Sequence, residues 1–266
     1  MEIFGLTGNV IGYKKLLHFG YRRLLILLVG AGFLLHSPVI GKTERHLKEW
    51  VIILHGIAKS ASSMEKLEEY LRNRGYKTVN VTYPSTAETI EVLAERYLTN
   101  AIDQCRGDGA KKIHFVTHSL GGIIARQYLQ THTLPHGSRM VMLAPPNKGS
   151  EVADKLKGLG IYKWSHGPAG QELGTDSESI PNRLKPVNIE VGVIAGDTSI
   201  NPIFSAMIPE PDDGTIAVER TKLKEMKDFI VVSSTHTFIM DNPLVMRQVV
   251  HFLEKGKFDH SLEPKK

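Results

Sequence analysis

Cysteine is nearly absent. Cys105 is the single one in 266 residues, which excludes an intramolecular disulfide and any cysteine-based metal cluster. It falls near the end of a predicted helix and reads as a core thiol. H-E-x-x-H and comparable ligand spacings are missing as well, so metal catalysis is not expected. No internal repeat or low-complexity stretch occurs. Charge of one sign is scarce too: the formal net charge is +5, of which Lys14, Lys15, Arg22 and Arg23 against Glu2 supply +3 within residues 1–41. The remainder carries +2 and has no basic stripe interleaved with aromatics, which speaks against nucleic acid as a partner.

Long apolar runs are also lacking. Residues 24–35 are apolar throughout and follow Arg22-Arg23, but they stop short of the ~20 residues a membrane-spanning helix needs. A basic flank before a short apolar core suits a signal h-region, with Val39-Ile40-Gly41 as a weak cleavage site. An uncleaved membrane anchor and an amphipathic segment packed on the domain are the other readings. Residues 1–41 are therefore set apart as a leader, with a cell-envelope location expected and the cytoplasm as the alternative. Membrane association through residues 24–35 goes with it.

What is present is the material of one sizeable domain, with 41% hydrophobic and 23% charged residues. Residues 50–54 form a continuous apolar run, as in a strand buried on both faces. Ser62 with Glu65, and Ser85 with Glu88, read as capping boxes. The first opens a helix over 62–74 closed by Gly75. The second opens a helix whose buried face carries Ile90, Leu93, Tyr97 and Ala101. Further strands are predicted at 78–81, 113–116, 140–143, 189–195 and 229–232, and helices at 123–129 and 243–253. Strands alternating with helices imply an α/β domain over 42–256, with a mostly parallel sheet covered on both faces. In residues 147–187 a helix over 148–157 is open, and the glycines from Gly158 to Gly174 argue for mobile loop, either a substrate-pocket wall or a small lid. Residues 257–266 read as a frayed tail.

The chemistry concentrates at Thr117-His118-Ser119-Leu120-Gly121-Gly122. A serine between a buried strand and a helix, with glycine two residues on, is a nucleophile elbow, although Thr117 stands where the pattern has glycine. A serine hydroxyl needs a base. Elbow hydrolases place the acid and then the histidine after the serine, which leaves His236, His251 and His260. His251 lies mid-helix and His260 in the tail, whereas His236 follows the 229–232 strand. Asp213, before a glycine and anchored by Ile216 and Val218, is the preferred acid, with Asp197 as the alternative. Asp212 is then a cap or turn residue. The Leu120 and Ile57 amides are the candidate oxyanion donors. His118 should point away from the Ser119 hydroxyl, since strand neighbours alternate.

His55-Gly56-Ile57, Thr117–Gly122, Asp213-Gly214-Thr215-Ile216 and His236 together resemble the pattern of bacterial α/β-hydrolases of the small lipase and esterase type. The resemblance implies an α/β-hydrolase fold and hydrolysis of carboxylic esters, small or lipid, through an acyl-enzyme on Ser119 with no cofactor. Acyl transfer by the same residues, or a non-catalytic binding role for the same fold, are the alternatives.

Overall fold

Successive residues of a strand face opposite sides of a sheet, and β1 (Glu49–Leu54) is buried on both. Trp50, Ile52 and Leu54 enter one apolar layer, and Val51 and Ile53 the other. This computed structural model describes residues 48–262. Along the chain, α1 (Glu65–Arg72) leads to β2 (Lys77–Val81). Next come α2 (Ile90–Leu93), a π-helical turn at Ala94–Leu98, α3 (Thr99–Gly107), β3 (Lys112–His118) and α4 (Leu120–Tyr128). After β4 (Arg139–Leu143) the chain forms α5 (Glu151–Leu156), α6 (Gly160–Gln171) and β5 (Glu190–Gly196). It ends with α7 (Pro202–Ser205), β6 (Asp228–Val232) and α8 (Pro243–Lys255). The six strands are ordered β2-β1-β3-β4-β5-β6 and every neighbouring pair is parallel.

Helices α2, α3 and α4 bury Leu93, Ile102, Ile123 and Tyr128 against one face. Helices α1 and α8 bury Leu67, Leu71, Val249 and Phe252 against the other. The order of connection reverses between β1 and β3, and their carboxyl ends flank the crevice where such sheets bind ligands.

Several expectations need correction. The first helix has no Ser62 capping box. A 3-10 turn at Ala61–Met64 precedes it, and the Ser62 hydroxyl meets that of Ser60 at 2.7 Å. The second helix starts later than expected, capped by Thr89, while Ser85 accepts the Ala58 N–H at 3.0 Å. The π turn then rotates the buried face, so Leu98 is fully buried and Tyr97 only partly. Within residues 147–187 the helix open at 148–157 is present as α5, but the glycine-rich remainder also holds α6 and a turn of helix at Ile180–Arg183 rather than mostly loop. The leader lies outside the described residues, and none of the described helices is long and apolar enough to cross a membrane.

The tail is pinned as far as residue 262. Phe258 is 2% exposed and packs on Phe252 with ring centroids 4.9 Å apart. Gly192 makes room for both rings: a Cβ there would lie 2.6 Å from Phe252 and 2.7 Å from Phe258. The Phe258 N–H donates to the Asp228 carboxylate at 2.7 Å, and the Gln248 amide bonds the Asp259 backbone in both directions at 2.8 Å. Phe258→Ala should cost about 3–5 kcal/mol in urea unfolding, as expected for a core ring. A change below ~1 kcal/mol, the level of a surface site, would return residues 257–262 to a frayed tail.

Candidate active site

Ser119 ends β3 and caps α4 with φ 51° and ψ −121°, an unfavourable backbone for a residue with a Cβ. Such strain costs on the order of 1–3 kcal/mol and persists because the surroundings over-determine it. The Ser119 N–H donates to the Leu143 carbonyl of β4 at 2.9 Å. Three glycines clear the space around the turn. A Cβ at Gly121 would lie 2.8 Å from the Leu54 and His55 carbonyls, and one at Gly56 3.2 Å from the Ser119 Cβ. At Gly122 it would lie 2.5 Å from Met142 and 3.2 Å from the Thr117 hydroxyl. Threonine therefore fits the first position of the motif because the residue across from it has no side chain.

The Ser119 hydroxyl oxygen lies 3.1 Å from His236 Nε2, and His236 Nδ1 lies 2.8 Å from Asp213 Oδ2. The other Asp213 oxygen accepts the Thr215 and Ile216 N–H groups at 3.0 and 2.8 Å, and Gly214 takes the turn at φ 92°. The two loops also join through their backbones, the His236 N–H donating to the Asp213 carbonyl at 2.9 Å. Gly196 permits this approach, since a Cβ there would lie 2.4 Å from the Ser234 carbonyl and 3.1 Å from the Asp213 Cβ. The structure thus brings Ser119, Asp213 and His236 together. It does not bring Asp197 to them: Asp197 is exposed and its carboxylate accepts from the Thr198 hydroxyl at 3.3 Å. Asp212 is a turn residue, accepting the Gly214 N–H at 2.6 Å. His251 and His260 bond the Lys257 carbonyl and Asp228.

The oxyanion candidates are both at the crevice. Leu120 is the first residue of α4, where a helix leaves N–H groups without an intrahelical acceptor. Ile57 lines the cavity above Ser119. The His55 ring bonds the Gly56 carbonyl from Nδ1 at 2.8 Å, and in a trans peptide this turns the Ile57 N–H to the opposite side. His55 is itself held by Tyr83, whose ring stacks on it at 4.0 Å and whose hydroxyl donates to its carbonyl.

His118 hydrogen-bonds the loop that carries His236. Its Nε2 lies 3.0 Å from the His236 carbonyl, an oxygen that can only accept, so Nε2 carries the proton. Nδ1 is then bare and faces Gly56, where a Cβ would stand 2.8 Å from it. Burial, reinforced by the nearby His236, holds the His118 pKa well below its ordinary value. Burial also lowers those of His55 and His114. A neutral His118 spares His236 a second cation, since the rings are 4.9 Å apart. Neither this hydrogen bond nor the spacing role of Gly196 was apparent in the sequence. A glycine immediately before Asp197, at the end of a predicted strand, was the only available hint.

A cavity of about 170 Å³ opens on Ser119 and His236. Ile57, Val152, Leu173 and Ile216 form apolar walls, and Tyr162 and His166 close it with rings stacked at 4.1 Å. Tyr162 points inward, whereas Ile161 and Trp164 on the outer face of α6 are 73% and 84% exposed. Two larger clefts, of about 690 and 680 Å³, touch none of Ser119, Asp213 and His236. Among the described residues no cluster of histidine, cysteine and carboxylate groups could hold a metal.

A family model described as "Putative serine esterase (DUF676)" matches residues 42–148. No curated protein matches the sequence. Among solved structures, the mature form of Bacillus licheniformis lipase BlEst2 is similar at a TM-score of 0.64 and 18% identity, over 78% of this chain and 92% of that one. The product of gene lin2722 from Listeria innocua is similar at 0.55 and 17%, over 80% and 99%. The metagenomic carboxyl esterase MGS0156 gives 0.53 and 17%, over 73% and 66%. At these identities the likeness establishes the fold.

Two outcomes are expected. Asp213→Asn should lower kcat by about three to four orders of magnitude, as loss of the orienting acid does elsewhere, and Asp197→Asn by less than about threefold. Steady-state kinetics with an aryl ester decide between them, and the reverse ranking would make Asp197 the acid. The buried histidines also set an acid limit on stability. Their folded pKa values lie below the unfolded value of 6.5, so the unfolded chain binds more protons as pH falls beneath it. Stability should be full above that value and decline below it, by about 1.4 kcal/mol per pH unit for each such histidine. His118→Gln should reduce that slope by about one proton in urea titrations between pH 7 and 5. An unchanged slope would mean that His118 is already charged in the folded protein.

Proposed function

From a chain with the α/β-hydrolase fold, we propose a serine hydrolase that cleaves carboxylic esters through an acyl-enzyme on Ser119. One observation carries the reading: a strained serine at the elbow, 3.1 Å from an imidazole nitrogen whose partner nitrogen faces a buried carboxylate at 2.8 Å. The family match over residues 42–148 and the lipase and esterase neighbours support it.

His236 Nε2 takes the hydroxyl proton as the Ser119 oxygen adds to the ester carbonyl. Asp213 keeps the imidazole in the tautomer with hydrogen on Nδ1 and stabilises the imidazolium without taking its proton. The Ile57 and Leu120 N–H groups face the tetrahedral oxyanion. When the intermediate collapses, the carbon–oxygen bond to the alcohol breaks and the imidazolium gives that oxygen its proton. Water, deprotonated by His236, then adds to the acyl-enzyme; as the acyl–Ser119 bond breaks, the imidazolium returns its proton to the serine oxygen and the acid leaves.

The cavity is smaller than the roughly 300–1,000 Å³ of pockets that enclose drug-sized ligands, which favours a short acyl group. With aryl esters from acetyl to long-chain, kcat/KM should peak at short chains, and Ser119→Ala should fall to the background rate. A fluorophosphonate probe should label wild type and not the variant. Hydrolysis undiminished in Ser119→Ala would end the proposal, and a long-chain optimum would reassign the substrate.

A further inference from the structure

Resting on the serine-hydrolase reading, we propose that the preferred substrates are esters bearing a negative group close to the scissile carbonyl, and that Lys59 selects them. The residues around the cavity include one full-time cation, Lys59, and no aspartate or glutamate. Lys59 comes two residues after Ile57, on the loop assigned to the oxyanion, and its backbone is anchored on both sides. The Ala58 N–H is held by the Ser85 hydroxyl at 3.0 Å, and the Ser60 carbonyl accepts from the Ser63 N–H and hydroxyl at 3.0 and 2.7 Å. Ala58 is further fixed at φ 52°. The loop therefore delivers the Lys59 stem to one place at the mouth.

Among the described residues, acidic side chains pair with Lys66, Lys112, Lys157, Lys222 and Lys227, but none pairs with Lys59. The charge nevertheless reaches the site, since Lys59 is among the groups that disfavour protonation of His118. The cavity is compact at about 170 Å³, so a group bound against Ser119 stays within reach of a flexible four-carbon stem. The remaining walls are mainly apolar and would penalise a carboxylate or phosphate placed anywhere else. A negative group is therefore best placed beside Lys59, the one lysine or arginine among the lining residues. Because Lys59 is exposed, the attraction is screened, which makes the expected selectivity moderate and dependent on salt.

The negative group can belong to the acyl part or to the alcohol part, and matched ester pairs separate the two. One pair is the mono-4-nitrophenyl ester of glutaric acid beside its neutral methyl diester. The other is 4-butyryloxy-3-nitrobenzoate beside its neutral methyl ester. In wild type at low ionic strength, kcat/KM should favour the anionic member of one pair by about fivefold or more, declining in 0.5 M salt as the Debye length shortens to a few ångström. Lys59→Met should remove that ratio, while Lys163→Met, on the outer face of α6, should leave it intact. A neutral preference in both pairs, or a ratio indifferent to Lys59→Met, overturns the assignment and leaves the hydrolase reading standing. Failure to turn over any of the four esters overturns both.

Discussion

Everything at this site depends on how closely the backbones can approach around Ser119. The elbow, the loop after β1 and the β4 side meet where Gly56, Gly121 and Gly122 supply no Cβ, and the acid and histidine loops meet over Gly196. Each missing carbon corresponds to a contact of 2.4–2.8 Å that a side chain would have to force apart. At Gly121 and Gly196 the gaps cannot be opened by rotating a side chain, because the obstacles include backbone carbonyls. The strained φ of Ser119 is held by this packing and by its hydrogen bond to Leu143.

The sheet was legible in the sequence because its central strands are buried on both faces and so read as unbroken apolar runs. The elbow was legible because Ser119 and its glycines stand between an apolar strand run and a helical one. Asp213 could be preferred over Asp197 because Asp-Gly requires a turn, and Gly214 does adopt φ 92°. What escaped were features decided by non-local contacts. Ser85 looked like a helix cap but answers Ala58, far away in sequence. The π turn is invisible to a 3.6-residue period and moves burial from Tyr97 to Leu98. Phe258 looked like tail because its partners, Gly192 and Phe252, come from other elements.

Electrostatically, the site keeps its histidines in different conditions. His236 is partly open to the cavity and faces the Asp213 carboxylate at 2.8 Å. His55 and His118 are buried, held neutral by desolvation, and each bonds a backbone carbonyl through a single ring nitrogen. They act as fixed dipoles, which orient peptide groups without adding charge. His55 sets the Gly56–Ile57 peptide and His118 the loop that carries His236.

The main-chain bond from His236 to Asp213 gives the two loops a shared fate. Asp213 and His236 are clasped twice, once through the ring and once through the backbone, and the elbow strand holds the same loop twice, through Ser119 on the ring and His118 on the His236 carbonyl. Moving the His236 loop therefore means breaking bonds on both sides at once, so its imidazole is fixed against the serine and the carboxylate together.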